Sequence, residues 1–389
     1  MFEKVKIKSV FFIFFVSLLF NIVSGLEFDK CIWIKSDSMK TKQTIDKALI
    51  TAYEYGFDTV FVQVRYRGEA FYESKIVSKS NLVSPDFDPL LYAVQLAHSL
   101  GIEIHAWFNT YILWSSSYKP FDHNHIYVTK PDWLESNIYG KSDSSIDISV
   151  PQSQNWEGIY LSPNHPSVNK YLIELISEII DSYDIDGIHL DYIRFQDDIY
   201  GFNDVGRKIF KNNYGFDPLD IERNIISIEQ GWTFSQIDSL NEIWNNYKIG
   251  NINTLVDSIS EKINITDRNL KLSAAVKSNP NLARKKWSQD WKNWILNDYL
   301  DFVVVMNYAP NMIDFNNNIQ SIKEEIDKNK LKKIIMGVSI YNQGFNQVSD
   351  KIYISYINDF KGVSLFSFDN KKEDIYWFDN ILDIFEIIK

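Results

Sequence analysis

The chain contains little cysteine, glycine or proline. Cys31 is the only cysteine among 389 residues, so an intrachain disulfide is excluded, and we expect this thiol to lie in a strand. There are 15 glycines and 10 prolines, and no Ser-, Pro- or Gly-rich linker follows residue 25. We therefore predict one folded unit over residues 26–389, a length that can bury a substantial core.

Positive charge is also scarce. Lys and Arg number 40 against 51 Asp and Glu, which gives a formal net charge of −11, and no long basic run occurs in the folded region. Phosphate binding needs a concentrated Lys/Arg face, so we do not expect nucleic acid as the main partner. A neutral or cationic ligand fits this charge better.

Long apolar runs are absent except at the N-terminus. Lys4, Lys6 and Lys8 precede an apolar run over residues 10–20, and Val23-Ser-Gly25 resembles a small-residue cleavage site. This layout is typical of a secretory signal, although an uncleaved anchor is the alternative. We predict a signal peptide over residues 1–25 and no membrane span in the mature chain. The protein is then exported, to the periplasm, the cell envelope or the extracellular medium.

The sequence lacks motifs for a metal centre and for acyl transfer. Its six histidines are dispersed, with His105 and His189 on different predicted strands, and no serine lies in a nucleophile-elbow sequence. We therefore predict no metal site and no cofactor.

Short β-rich runs alternate with helical runs along the chain. The helical spacing is clearest at Val168, Leu172, Leu175 and Ile179. No glycine-rich phosphate turn follows the first strand, which disfavours a doubly wound open sheet. The pattern predicts an α/β fold, a single (β/α)8 TIM barrel. The eight predicted strands are residues 31–35, 59–65, 103–109, 187–192, 272–277, 302–308, 333–340 and 363–368.

Two connections are long for a simple barrel, after predicted strands three and four. Both leave the C-terminal ends of strands, where barrel enzymes build their active sites. Aromatic residues make up 15% of the chain, and these loops are rich in them. Each ring fits either a small core within its loop or the wall of a ligand groove; as a group they suggest a groove. The rings are Trp114, Tyr118, Trp133, Tyr139, Trp156, Tyr160, Trp232, Trp244 and Tyr247.

Strand alternation predicts which side chains point into the barrel near its C-terminal rim. Unpaired buried polar groups cost a few kcal/mol each, roughly, so a polar rim indicates a site rather than a stabilising feature. The fourth strand is the most informative, because His189 and Asp191 share one face of an otherwise apolar run. The inward set is Gln63, Arg65, His105, Trp107, Asn109, His189, Asp191, Asn307 and the following Tyr308.

A carboxylate surrounded by hydrogen-bonding and aromatic groups is typical of a carbohydrate-cleaving site. The chain also resembles the glycosyl hydrolase-like 10 family from about residue 31 to its end. The resemblance implies a secreted or envelope-associated bacterial (β/α)8 barrel that hydrolyses glycans, with cell-wall glycan a favoured substrate class. The motifs are Phe61-Val-Gln-Val-Arg-Tyr-Arg-Gly-Glu-Ala-Phe-Tyr-Glu-Ser74, His105-Ala-Trp-Phe-Asn109, Leu161-Ser-Pro-Asn164, Asp186-Gly-Ile-His-Leu-Asp-Tyr-Ile-Arg194 and Asp301-Phe-Val-Val-Val-Met-Asn-Tyr308.

The resemblance makes Asp191 the principal carboxylate, a nucleophile or base. The chain departs from the family pattern at Lys277-Ser-Asn-Pro280, where relatives often have an apolar or aromatic residue followed by proline. The residues that would orient Asp191 or contact the sugar are Arg65, His105, Trp107, Asn109, His189, Tyr192, Arg194, Asn307 and Tyr308.

A glycosidase normally needs a second carboxyl group roughly 5 to 10 Å from the first. Glu69, Asp290 and Asp369 are the candidates. We choose Glu69 as the acid because its motif is continuous with Arg65, although pairing with Arg67 in a loop is an equal alternative.

The leading interpretation is a glycoside hydrolase that acts on a polysaccharide or oligosaccharide. One alternative is a non-catalytic glycan-binding barrel of the cell envelope, favoured by the lack of a clear second carboxylate and by Lys277. Another is a barrel enzyme of different chemistry, such as a deacetylase. The sequence carries no signal for oligomeric state.

Overall fold

The computed structural model describes residues 28–150, 152 and 156–388. The predicted signal peptide, residues 1–25, lies outside the described residues.

Eight parallel strands form a closed barrel, which confirms the predicted fold. β1 pairs with β2 on one side and with the last strand on the other, so the sheet has no free edge. The barrel strands are β1 (Asp29–Ile34), β2 (Thr59–Tyr66), β4 (Glu103–Asn109), β7 (Gly187–Asp191), β8 (Lys271–Lys277), β9 (Phe302–Met306), β10 (Ile334–Ser339) and β11 (Gly362–Phe366). Three short strands lie at the rim: β3 (Glu69–Ala70) pairs with β2, and β5 (Ile112–Trp114) pairs with β6 (Ile159–Tyr160).

Helices surround the barrel and fill the connections. They are α1 (Lys42–Glu54), α2 (Pro89–Leu100), α3 (Ile126–Thr129), α4 (Pro166–Ser182), α5 (Asp204–Tyr214), α6 (Leu219–Glu222), α7 (Phe234–Asn264), α8 (Pro280–Trp287), α9 (Trp291–Leu296), α10 (Met312–Glu325), α11 (Phe345–Ile357) and α12 (Asp379–Ile387). α4 begins with proline at its first position, where no backbone N–H is needed, and the His165 ring accepts the N–H of Ser167. No helix in the described part of the chain is long and apolar enough to cross a membrane.

The main core lies between the strands and the helices. On β2, Val60, Val62 and Val64 point outward into this core, and outward apolar side chains of the other barrel strands do the same. The barrel interior is filled separately by Cys31, Trp33, Phe61, Trp107, Phe302, Val304 and Ile335. The predicted location of Cys31 in a strand is thus correct. This aromatic filling closes the barrel below its C-terminal rim and forms the floor of the site.

The connection between β7 and β8 has a small core of its own. Trp244 packs against Phe202 and Phe210, and Tyr247 stacks on Trp244 with the ring centroids 5.5 Å apart. These rings therefore serve packing, and the prediction that they form a groove wall is wrong for them. Of the aromatic residues in the two long connections, Trp114 lines the rim pocket described next.

Candidate active site

A cavity of about 630 Å³ opens at the C-terminal ends of the strands. Trp33 and Trp107 lie at its floor, while Tyr308 stacks on Phe366 with centroids 5.3 Å apart in its wall. Aromatic faces and hydrogen-bonding groups together suit the apolar faces and hydroxyl groups of sugars. The predicted site residues that line this cavity are Trp107, Asn109, Asp191, Tyr192, Arg194 and Tyr308.

Asp191 is the last residue of β7, and its carboxyl group is held by two donors. The backbone N–H of Tyr192 donates to Oδ1 at 2.7 Å and the indole Nε1 of Trp107 donates to Oδ2 at 3.1 Å. Tyr192 has a φ of 51°, in the left-handed region that a tyrosine rarely adopts. The turn immediately after β7 thus fixes the carboxyl group at the pocket floor.

Burial raises the pKa of the Asp191 carboxyl to about 6, and the negative charge of Glu157 adds to this rise. The Tyr192 N–H, Arg194 and Trp107 oppose it and lower the pKa less than burial raises it. Asp191 therefore holds a proton over a higher pH range than an ordinary aspartate.

Glu157 is a second carboxylate that lines the same cavity, and sequence reasoning missed it. Arg194 Nη2 donates to its Oε1 at 3.0 Å, and the Tyr160 hydroxyl donates to its Oε2 at 2.5 Å. Burial alone would raise the pKa of Glu157, but Arg194, Tyr160 and Lys277 outweigh it and the pKa lies below its ordinary value. The pocket thus contains one carboxyl group with a raised pKa, Asp191, and one with a lowered pKa, Glu157.

The short ribbon β5–β6 brings Glu157 to the pocket. Gly158 has a φ of 150°, and a Cβ at this position would lie 2.5 Å from the carbonyl oxygen of Trp114. The chain can therefore pass this close only at a glycine. A glutamate followed by this glycine, just before the Leu161-Ser-Pro-Asn164 motif, was the available signal.

His189 and His105 lie below the pocket and do not line it. His189 Nε2 accepts from Trp33 Nε1 at 3.1 Å, so its Nδ1 carries the proton and donates to Ser273 Oγ at 2.9 Å. Burial, followed by the charge of His105, lowers the pKa of His189 well below its ordinary value. His189 is thus a neutral part of the barrel interior that supports the Trp33 floor.

Arg65 points away from the pocket, so its predicted inward orientation is wrong. The pairing of β2 with β4 shifts between Gln63 and Arg65, a bulge that places Arg65 opposite the outward-facing Phe108. Its guanidinium lies 5.1 Å from the Phe108 ring centroid and donates to the carbonyl oxygens of Asn109, Thr110 and Ile112. The bulge leaves Gln63 facing inward, where it donates to the pocket residue Asn109 at 3.2 Å.

We expect Arg65→Met to lower the free energy of unfolding by about 2–3 kcal/mol, because buried carbonyl groups lose their donor. KM for glycan should stay within about twofold, since the Arg65 side chain does not line the cavity and donates only to backbone carbonyl groups. Urea unfolding and steady-state kinetics measure the two quantities. A raised KM with unchanged stability would contradict this placement.

Asn307 also fails to reach the pocket, because β9 ends at Met306 and strand alternation stops there. Its amide donates to the Phe315 carbonyl at 3.0 Å and accepts from Asn318 at 2.8 Å. Tyr308 lines the pocket in its place.

The structure does not bring the predicted second carboxylates to the cavity. Glu69 lies on the β2–β3 hairpin, where Ser80, Arg67 and Asp122 are its polar neighbours. Asp290 pairs with Arg284 at 3.4 Å, and Asp369 accepts from the Lys35 N–H and the Ser38 hydroxyl. None of them lines the pocket. Over the residues with described positions, no group of three or more His, Cys, Asp or Glu side chains is arranged to hold a metal ion.

A closed parallel barrel with carboxyl groups at its C-terminal rim is an architecture typical of glycoside hydrolases. The glycosyl hydrolase-like 10 family model matches residues 20–355, and the chain belongs to this family.

Two curated relatives match part of the chain. "Glycosyl hydrolase DigH" of Escherichia coli K12 is 29% identical over 147 residues, which cover 35% of this chain and 30% of that protein. "Glycosyl hydrolase YngK" of Bacillus subtilis is 27% identical over 158 residues, which cover 39% of this chain and 28% of that protein. The matched segments thus span under a third of these relatives.

Among solved structures, the PgaB (BpsB) glycoside hydrolase domain of Bordetella bronchiseptica superimposes with a TM-score of 0.67 at 12% identity. The match covers 92% of this chain and 99% of that chain. It supports the barrel fold.

Proposed function

We propose that this protein hydrolyses glycosidic bonds in a polysaccharide, with Asp191 as proton donor and Glu157 as the ionised carboxylate. The observation that carries the proposal is the contrast between the two carboxyl groups of one pocket. Burial raises the pKa of Asp191 to about 6, while Arg194, Tyr160 and Lys277 offset the effect of burial on Glu157 and leave its pKa below the ordinary value. Carboxyl groups with pKa values pushed apart can divide acid and base roles between them.

In this mechanism Asp191 gives its proton to the glycosidic oxygen as the bond to the anomeric carbon breaks. Positive charge then develops on the sugar ring, and the Glu157 carboxylate stabilises it. Water then adds at the anomeric carbon and gives a proton to the Asp191 carboxylate, which completes hydrolysis and restores the proton donor. Trp107 positions the proton donor through its hydrogen bond to Oδ2, and the aromatic walls hold the sugar faces.

Bacterial cell-wall glycan is the proposed substrate class, on the basis of family membership. Overnight digestion of peptide-free cell-wall glycan, followed by mass spectrometry, tests it. We expect new oligosaccharides with the native protein and none with heat-denatured protein. Absence of products from this polymer would overturn the substrate class.

A glycan-binding barrel without catalysis is the second candidate. Both oxygens of Glu157 already accept a hydrogen bond, one from Arg194 and one from Tyr160. These bonds make Glu157 a weak nucleophile, which favours this candidate. A binding protein would retain the glycan on an affinity column and release no product in the same digestion.

The proposed roles predict the pH dependence of kcat/KM. Asp191 must be protonated, so kcat/KM should fall tenfold per pH unit above about pH 6. Glu157 must be ionised, so the acidic limb should lie below its ordinary pKa of 4.5. A pH series with a fixed oligosaccharide at low concentration measures both limbs. Activity that falls as the pH drops through 6 would instead make Asp191 a base.

We also propose that the protein is exported, on the basis of its lysine-rich and apolar N-terminal residues. N-terminal sequencing of protein recovered from outside the cytoplasm should start at Leu26. An intact Met1 in that fraction would contradict cleavage.

A further inference from the structure

The charge of the pocket differs from that of the whole chain. The chain carries a net charge of −11, but four cationic side chains line the cavity against three acidic ones. Asp37 pairs with Lys40 at 2.6 Å and Glu157 pairs with Arg194 at 3.0 Å. With these pairs neutralised, Asp191 faces three cations that have no carboxylate within 4.0 Å among the described residues: Lys35, Arg67 and Lys277.

Lys277 is the cation most closely associated with the two carboxyl groups. It is the last residue of β8, and its charge acts on the pKa of Glu157, while Glu157 and Asp191 act on its own. Gln289 accepts its backbone N–H at 2.8 Å, and its carbonyl accepts from Trp291 Nε1 at 3.1 Å. The base of the side chain is thus fixed at the pocket rim.

The Lys277 ammonium group contacts the aromatic ring of Trp287, and no hydrogen-bond acceptor among the described residues binds it. It lies 4.9 Å from the Trp287 ring centroid, and across the described residues it has no hydrogen bond or ion pair. Burial lowers its pKa to about 8, to which the neighbouring charges of Arg194 and Lys286 also contribute. A half-buried cation with incomplete hydration gains most from an anion that enters the pocket.

The surface beside Lys277 extends the same positive charge outward. Arg284, Lys285 and Lys286 follow on α8; Arg284 pairs with Asp290 at 3.4 Å, and Lys286 Nζ lies 5.2 Å from the centroid of the Trp287 ring. Lys285 and Lys286, for which the described residues supply no ion pair, add positive charge beside Lys277, and such charge attracts ligands of opposite sign. The expectation of a neutral or cationic ligand, drawn from the net charge, does not describe this region.

We propose that Lys277 binds a carboxylate group carried by the sugar chain, beside the Asp191 and Glu157 carboxyl groups. The inference rests on the proposed function in one respect, that the ligand is a glycan. It makes Lys277 a specificity-determining residue that selects acidic sugars over neutral ones. Its Nζ, which lies 4.9 Å from the Trp287 ring centroid, donates to the carboxylate.

The test compares two forms of one ligand: peptide-free cell-wall glycan fragments with free carboxylates, and the same fragments converted to methylamides. Binding is measured by calorimetry in the Asp191→Asn background, which prevents turnover. With Lys277 present, the carboxylate form should bind at least about tenfold tighter, the gain of one charge-assisted hydrogen bond. Lys277→Met should reduce this ratio to about one, and Lys277→Arg should retain most of it.

Lys286→Met is the matched control, because it removes a cation from the same ring without touching the pocket. It should keep the tenfold ratio. Equal affinity for both forms with Lys277 present, absence of binding, or an unchanged ratio in Lys277→Met would each overturn the inference. Thermal unfolding of each variant shows whether it is folded.

Digestion by the protein with Asp191 intact, run in parallel, separates this inference from the proposed function. Product release without a preference for carboxylates rejects only the role of Lys277. A preference for carboxylates without product release rejects only catalysis.

Discussion

Asp191→Asn is expected to lower kcat on a cell-wall glycan by about 10³-fold or more and to change KM by less than about threefold. The amide keeps the shape of the side chain and its oxygen can still accept the Tyr192 N–H, but its N–H groups are too weakly acidic to transfer a proton to the leaving oxygen. The aromatic walls and the cations of the pocket, which we propose bind the sugar, are left in place by the substitution. Release of reducing ends measures the rate.

The matched control is Asp184→Asn, which changes an exposed aspartate just before the same strand, at the opposite end of the barrel. It should retain kcat within about twofold, in line with most surface substitutions. If Asp191→Asn retained a rate close to that of Asp184→Asn, Asp191 would have no role in proton transfer.

Glu157→Gln is expected to lower kcat by about 10²-fold or more, because a neutral amide does not stabilise the developing positive charge on the sugar. The same substitution should move the alkaline limb of kcat/KM to lower pH. The negative charge of Glu157 contributes to the raised pKa of Asp191, and its removal also leaves the Arg194 cation without its partner. Both changes favour the ionised form of Asp191.

Glu69→Gln is the control that separates the two candidates for the second carboxylate. Glu69 lies on the hairpin among Ser80, Arg67 and Asp122, so kcat and the pH profile should stay close to those of the unmodified protein. A large loss in Glu69→Gln with little loss in Glu157→Gln would restore the assignment made from sequence.

The barrel could be predicted because parallel strands buried on both faces leave clear apolar runs, and all eight were found. Alternation also placed Trp107 and Asp191 correctly, since both lie in regular parts of their strands. It was wrong for Arg65, where a bulge adds one residue, and for Asn307, which lies beyond the end of β9. Neither the bulge nor the strand end has a marker in a single sequence.

Glu157 could not be predicted from strand patterns, because its position depends on contacts between distant parts of the chain. The β5–β6 ribbon and the contact of Gly158 with Trp114 bring it to the pocket, and Arg194 from beyond β7 holds it there. The aromatic residues after β7 were misleading for a related reason. A long connection must bury apolar surface of its own, and Trp244 and Phe210 do so.

The most direct test is to digest peptide-free cell-wall glycan at pH 5 with the native protein and with Asp191→Asn. This pH is below the Asp191 pKa of about 6, so the carboxyl group is protonated. The products are compared by mass spectrometry. We predict oligosaccharide products from the native protein and none above background from the variant. Both proteins should still bind the glycan. Products in equal yield from both proteins, or none from either, would contradict the assignment of Asp191 as the proton donor of a glycan-hydrolysing site.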